Sequence, residues 1–136
     1  MELEISTDRS RLDRDTIYRF LSQESYWSPG IARELVERAI DNSHCFGVYL
    51  GDKQVGFARV VTDFARFGYL ADVFILSEYR GRGYGKALVR VIMNDPDLHS
   101  VARLLLFTRD AHSLYEKYGF ESVTDPRRVM VWSRPL

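Results

Sequence analysis

At 136 residues and 46% hydrophobic composition, the chain is large enough for one domain with its own core, without metal or disulfide staples. Lys plus Arg and Asp plus Glu balance at 19 each, so net charge gives no case for nucleic acid or an anionic membrane as a partner. Cys45 stands alone and can form no internal disulfide, no apolar run is long enough to cross a bilayer, and the first residues lack the basic and apolar stretches of a secretory leader, so a cytoplasmic protein is expected.

Glu2 to Ser6 reads as a first strand, and Asp13 to Gln23 places Ile17, Phe20 and Leu21 at helical spacing. Ser28-Pro29 has the N-cap and first-turn chemistry of a second helix, with Ile31, Leu35, Ala39 and Ile40 on one face as far as Asn42. Phe46 to Leu50 and Lys53 to Val61 alternate around Gly51-Asp52, a two-residue hairpin signal. Tyr69 to Leu76 is a further strand, followed by a glycine-rich turn and a helix that presents Tyr84, Leu88, Val91 and Ile92. Arg103 to Phe107 reads as a buried strand and Ala111 to Tyr118 as a short helix capped by Asp110 and ended by Gly119. Arg128 to Ser133 reads as a last strand with Met130 and Trp132 in the core. Nothing divides the chain, so residues 1–136 are expected to form one α/β domain.

The most informative stretch is Arg80-Gly81-Arg82-Gly83-Tyr84-Gly85-Lys86, between an apolar strand and an amphipathic helix. Glycines there allow positive φ and close approach of a ligand to the backbone, and the first unpaired N–H groups of the helix converge on one point. Such a point favours a phosphate. A Walker A loop is excluded because no Gly-Lys-Ser/Thr follows at its spacing, and the order Arg-x-x-Gly-x-Gly differs from a dinucleotide fingerprint.

The stretch from Leu70 to Val89 resembles the acetyl-CoA signature of the GNAT superfamily of N-acetyltransferases, and Leu105 to Phe120, with its Leu-Tyr-Glu-Lys-x-Gly-Phe ending, resembles that superfamily's later motif. The resemblance implies a mixed central sheet of about six to seven strands flanked by about four helices. It implies acetyl-CoA as donor and no metal, with Arg80, Gly81, Arg82, Gly83, Tyr84, Gly85 and Lys86 around the pyrophosphate. Main-chain groups of Val73 and Ile75 would pair with the pantetheine amides. Two departures stand out: Ile75 and Ser77 occupy the places of a common Val-x-Pro, and Thr108 stands where the later motif often has asparagine.

The implied chemistry is direct attack of a primary amine on the acetyl thioester, the amine belonging to a small molecule or a peptide. Tyr115 matches the superfamily's general acid, and a phenol stays protonated at neutral pH and can donate to a leaving thiolate. Spacing alone favours a core residue at Tyr115, since Ala111, Leu114, Tyr115 and Tyr118 share one helical face, and it is the resemblance that makes it the acid. An amine of pKa near 10.4 is less than about one part in a thousand neutral at pH 7, so a base or a water chain is expected. Asp72 is the only acidic residue inside either candidate central strand, on a face shared by alternation with Leu70 and Phe74. His112 lies one helical turn before Tyr115 and reads either as a cleft residue or as a solvated one.

Tyr26 and Trp27 fall where the superfamily roofs its acceptor pocket; they either line a cleft or pack as a lid. Arg33, Arg66 and Tyr69 are further candidates for acceptor contact. Two functions of different class remain open at this level: an N-acetyltransferase, or a catalytically silent acyl-CoA-binding module. Monomer and homodimer are both open.

Overall fold

The computed structural model describes residues 2–135. Sheet order follows chain order: β1 (Leu3–Ser6), β2 (His44–Leu50), β3 (Lys53–Thr62), β4 (Phe67–Ile75) and β5 (Arg103–Leu105) lie side by side. The first four pair antiparallel and β5 runs parallel to β4. The β2–β3 turn is the expected hairpin, with Leu50 opposite Lys53 and Gly51 at φ 60°. At the β3–β4 turn the Asp63 carboxylate accepts from the N–H groups of Ala65, Arg66 and Phe67, which holds its pKa down at about 2.

Helices cover both faces. On one side α1 (Arg14–Arg19) and α2 (Arg33–Asp41) enclose Ile17, Val36 and Ile40 against Cys45, Phe57 and Phe74. On the other, α3 (Tyr84–Met93) lays Leu88, Val89 and Ile92 on Phe46, Val48, Val60 and Leu70, joined by Tyr115 from α4 (His112–Glu116). Each buried Leu, Ile, Val or Phe contributes roughly 1.5–3 kcal/mol, so the two clusters supply most of the driving force for this three-layer arrangement. Alternation along β2 and β3 sends Cys45 and Phe57 to one cluster and Phe46 and Ala58 to the other.

Several helix ends differ from expectation. Asp13 caps α1, accepting from Thr16 N–H at 3.1 Å, but the helix widens at Phe20–Glu24 into a π turn in which Ser25 N–H reaches the carbonyl of Phe20 at 2.9 Å. The second helix starts at Arg33 rather than at Ser28-Pro29, because Gly30 takes φ 73° and turns the chain out of helical path. Its buried residues are consequently Val36 and Ile40, while Leu35 is half exposed. Asp110 does not cap the last helix; the Thr108 hydroxyl oxygen accepts from Ala111 N–H at 3.0 Å instead.

The sheet has five strands among the described residues, fewer than the six to seven expected. Arg128–Ser133 forms no strand: Met130 and Trp132, expected in the core, are 94% and 76% exposed. Alternation specifies that a segment fits a pleated surface, and here no neighbouring strand in the same chain takes it up.

A β-bulge in β4 shapes everything that follows. Arg59 pairs with Ala71 and Phe57 with Phe74, so Ala58 alone faces Asp72 and Val73. Asp72 absorbs the extra residue at φ 54°. The bulge resets the alternation: Leu70 and Ile75 pack in the cluster under α3, whereas Phe74 packs under α1 and α2. The expectation that Leu70 and Phe74 share a face therefore fails. Pairing of β4 with β5 ends at Tyr69 and Leu105, and beyond that point the two strands part.

Candidate active site

Where β4 and β5 separate, two cavities open and meet. The first, about 550 Å³, is lined by Val73, Phe74, Ile75, Arg80, Gly81, Gly83, Tyr84, Gly85 and Tyr115 among others. Gly81 and Gly83 adopt φ of 79° and 82°, a conformation that L side chains avoid, and Gly83 leads directly into α3. A Cβ added at residue 81, 83 or 85 would meet no protein atom within 4 Å, so open space lies in front of the turn. Among the described residues, no hydrogen bond engages the N–H groups of residues 81–86. Arg80 braces the turn, donating from Nε to the carbonyl of Ile75 at 2.9 Å. A glycine turn with unpaired donors at the start of a ten-residue helix fits a pyrophosphate.

The second cavity, about 520 Å³, is walled by Tyr69, Asp72, Leu106, Phe107, Thr108 and, from the segment after the π turn, Tyr26 and Trp27. Its charged residues are Arg59, Asp72, Arg109 and Asp110, and Asp72 is the one held by donors on two sides. Arg59 Nε donates to Asp72 Oδ2 at 2.6 Å and Trp27 Nε1 donates to Oδ1 at 2.7 Å, with only 11% of the aspartate side chain exposed. An ionised carboxylate offers about four acceptor positions, so these two donors leave room for more. The Tyr69 phenol is raised by burial and by the neighbouring Asp72 charge, and its ring meets Phe107 edge-on at 5.8 Å. Arg109 stacks over the Tyr26 ring at 3.8 Å and donates its N–H to the Tyr26 hydroxyl at 3.2 Å, which ties the roof to the opposite wall.

Tyr115 lines both cavities. It is 8% exposed, packs edge-on against Phe120, and forms no hydrogen bond through its hydroxyl to any described group. Burial, helped by the nearby Tyr26, pushes its pKa up to about 12. The phenol at the junction is thus held protonated across the physiological range. That suits an acid that protonates something departing from the glycine-turn side.

Comparison with known proteins places this geometry. Residues 41–122 match the family model described as Acetyltransferase (GNAT) domain. A Gibberella zeae protein named as an acetyltransferase is 31% identical over 136 aligned residues, covering 83% of this chain and 75% of its own length. The chain belongs to the GNAT acetyltransferase family. A crystal structure from Xanthomonas campestris, assigned to the same family, matches 99% of this chain and 95% of its own at 48% identity with a TM-score of 0.94. A Staphylococcus aureus structure at 24% identity and TM-score 0.75, covering 98% of this chain and all of its own, shows the fold alone. This family carries out acyl transfer, and no helix of the described residues is long and apolar enough to cross a membrane.

Within this GNAT framework, most residues singled out from the sequence converge. Ile75, Arg80, Gly81, Gly83, Tyr84 and Gly85 line one cavity, Tyr69 and Asp72 the other, and Tyr26, Trp27, Val73 and Tyr115 both. Three stand apart. Arg33 is held on the α1–α2 surface by Asp15 at 2.7 Å and Glu37 at 3.4 Å. Arg82 donates to the carbonyl of Glu78 and stacks on Tyr79, and Lys86 lines neither cavity. His112 is exposed and faces the far side of β5. Sequence reasoning missed Arg59 and Arg109. An arginine inside a strand carries no signal until the bulge brings Asp72 within reach of it, and Arg109 has meaning only once Tyr26 lies beneath it.

Proposed function

We propose that the protein transfers an acetyl group from acetyl-CoA to a primary amine. The observation that carries this reading is Tyr115, whose buried, protonated hydroxyl lies where the glycine-turn cavity meets the aromatic one. The free N–H groups at residues 81–86 would hold the donor's pyrophosphate, and the strand edge left open at Val73 and Ile75 would take the pantetheine amides. The amine nitrogen forms a bond to the thioester carbonyl carbon, the C–S bond breaks, Tyr115 gives its proton to the departing thiolate, and the proton that the nitrogen sheds on becoming an amide restores the phenol.

The acceptor would enter the second cavity. Trp27, Tyr69 and Phe107 wall it with aromatic rings, Arg109 already covers the Tyr26 ring, and Asp72 offers a carboxylate oriented by Arg59 and Trp27. An alkyl or arylalkyl ammonium ion of small size fits these surroundings. Asp72 would accept the proton from the ammonium, directly or through a water, before attack. The test is a panel of primary amines incubated with acetyl-CoA and followed by CoA release. Turnover of small cationic amines above the rate of thioester hydrolysis is expected; CoA binding without transfer to any amine would point to a silent binding module instead.

A further inference from the structure

Two features of the molecule lack partners, and they match each other. The first is a groove of about 290 Å³ on the outer edge of β5, walled on one side by Leu104–Thr108 and on the other by Phe120–Val123, with His112, Tyr115 and Glu116 at its floor. Among the described residues no strand pairs with that edge of β5, and Phe107 and Val123 beside it are 63% and 52% exposed. An open apolar strand edge is a template for another strand.

The second feature is the tail. Val129, Met130, Val131 and Trp132 are 42%, 94%, 71% and 76% exposed, the composition of a buried strand left in solvent. No backbone hydrogen bond ties residues 130–135 to the rest of the described chain. The turn before it sets its direction: Pro126 fixes φ, Asp125 accepts from the N–H of Arg127 at 3.1 Å, and Val129 N–H closes on the Pro126 carbonyl at 3.1 Å. None of residues 124–135 lines the groove of its own chain. Seven residues, 129–135, extend about 23 Å as a strand, more than enough to run the length of Leu104–Thr108. Charge agrees as well, since Glu116 and Glu121 line the groove while Arg127, Arg128 and Arg134 belong to the turn and tail.

We propose that the protein is a homodimer in which each chain lays its residues 129–133 as a strand into the β5 groove of the other. The exchange is reciprocal, so one two-fold axis satisfies both edges and both tails. It completes the sheet and buries Trp132. It also bears on the catalytic cleft, because Leu106, Phe107, Thr108 and Tyr115 line the groove on one side and the acceptor cavity on the other. A strand in the groove would brace the wall that carries Tyr115 and Phe107. The assembly stands independently of which amine is the acceptor.

The experiment is sedimentation of the full chain together with hydrogen exchange of its tail amides, neither of which reads activity. A species of twice the 15.8 kDa chain mass is expected, with amides of residues 129–133 protected, and Val131→Pro, which removes a strand N–H, should shift the protein to monomer. A monomer with protected tail amides would mean that the tail enters its own groove and would overturn the proposal. A dimer with rapidly exchanging tail amides, or one that Val131→Pro leaves intact while the variant remains folded by circular dichroism, would place the interface elsewhere and overturn it equally. The unmodified chain decides the matter even if the proline variant does not fold.

Discussion

Arg59 and Asp72 meet across β3 and β4 at 2.6 Å, at the bulge where Asp72 stands at φ 54°. The pair is largely buried, and Trp27 closes it from the acceptor side. One ion pair thereby joins the sheet's irregularity, the roof of the cleft and the carboxylate that lies between Tyr69 and Val73 in the wall of the second cavity. Its geometry follows from sterics: the bulge turns Asp72 off the α3 side and toward α1 and α2, where Arg59 waits.

Asp72→Asn isolates the charge from the backbone, because asparagine tolerates the left-handed conformation nearly as well as aspartate does. If Asp72 takes the acceptor's proton, turnover should fall by about 10²-fold or more at neutral pH, and the loss should shrink as pH approaches the amine's own pKa. A pH-rate profile of unchanged shape, with only a lowered melting temperature, would assign Asp72 a purely structural part.

Arg59→Ala leaves that carboxylate without its cation in a site that is mostly shielded from water. Removing one partner of a buried pair costs about 3–5 kcal/mol, and the modest exposure of both groups here reduces the expectation to about 2–3 kcal/mol. Urea unfolding of the two proteins measures it. A difference below about 0.5 kcal/mol would show the pair to behave as a surface one.

Gly85→Glu separates binding from folding. Residue 85 lies in the first turn of α3, its added Cβ would meet nothing within 4 Å, and a glutamate at a helix start is stabilising by about 0.3–1 kcal/mol. Stability should therefore hold or rise while acetyl-CoA affinity falls, since a carboxylate now stands where the pyrophosphate is expected. Calorimetric titration showing undiminished acetyl-CoA affinity would remove the turn from the donor site.

The raised pKa of Tyr115, about 12, has a kinetic signature. Its protonated form persists below that value, so turnover should climb with pH as the amine loses its proton and should show no descending limb below about pH 10. A rate that declines between pH 8 and 9 in protein that remains folded would mean that some other acid is in use.

Much of this was legible in the residue order. The hairpin at Gly51-Asp52, the glycine turn and the helix after it are local devices, decided by φ preferences and spacing within a few residues, and each stands where the sequence puts it. The clustering of Tyr26, Trp27, Tyr69 and Tyr115 around the strand separation agrees with the two motifs read together. What the sequence could not convey is non-local. A bulge inverts the alternation between Leu70 and Phe74 without any glycine to announce it, and the Arg59–Asp72 pair follows from that bulge. Arg33 reads in the sequence as a candidate acceptor contact and is bound to Asp15 and Glu37 across the α1–α2 contact. Likewise Val129–Trp132 has the pattern of a strand, but a pattern does not name the neighbour it pairs with.

The central claim is that Tyr115 delivers the proton that releases the thiolate, and the most direct measurement is turnover and acetyl-CoA affinity of Tyr115→Phe beside the parent. Phenylalanine keeps the ring against Phe120 and removes only the hydroxyl, which has no hydrogen-bond partner among the described residues to lose. Because a thiol of pKa near 8.5 already leaves fairly well, the account predicts a fall in kcat toward the low end for a general acid, about 10²-fold, with acetyl-CoA affinity unchanged. A folded variant with the parent's kcat would contradict it and return Tyr115 to the core.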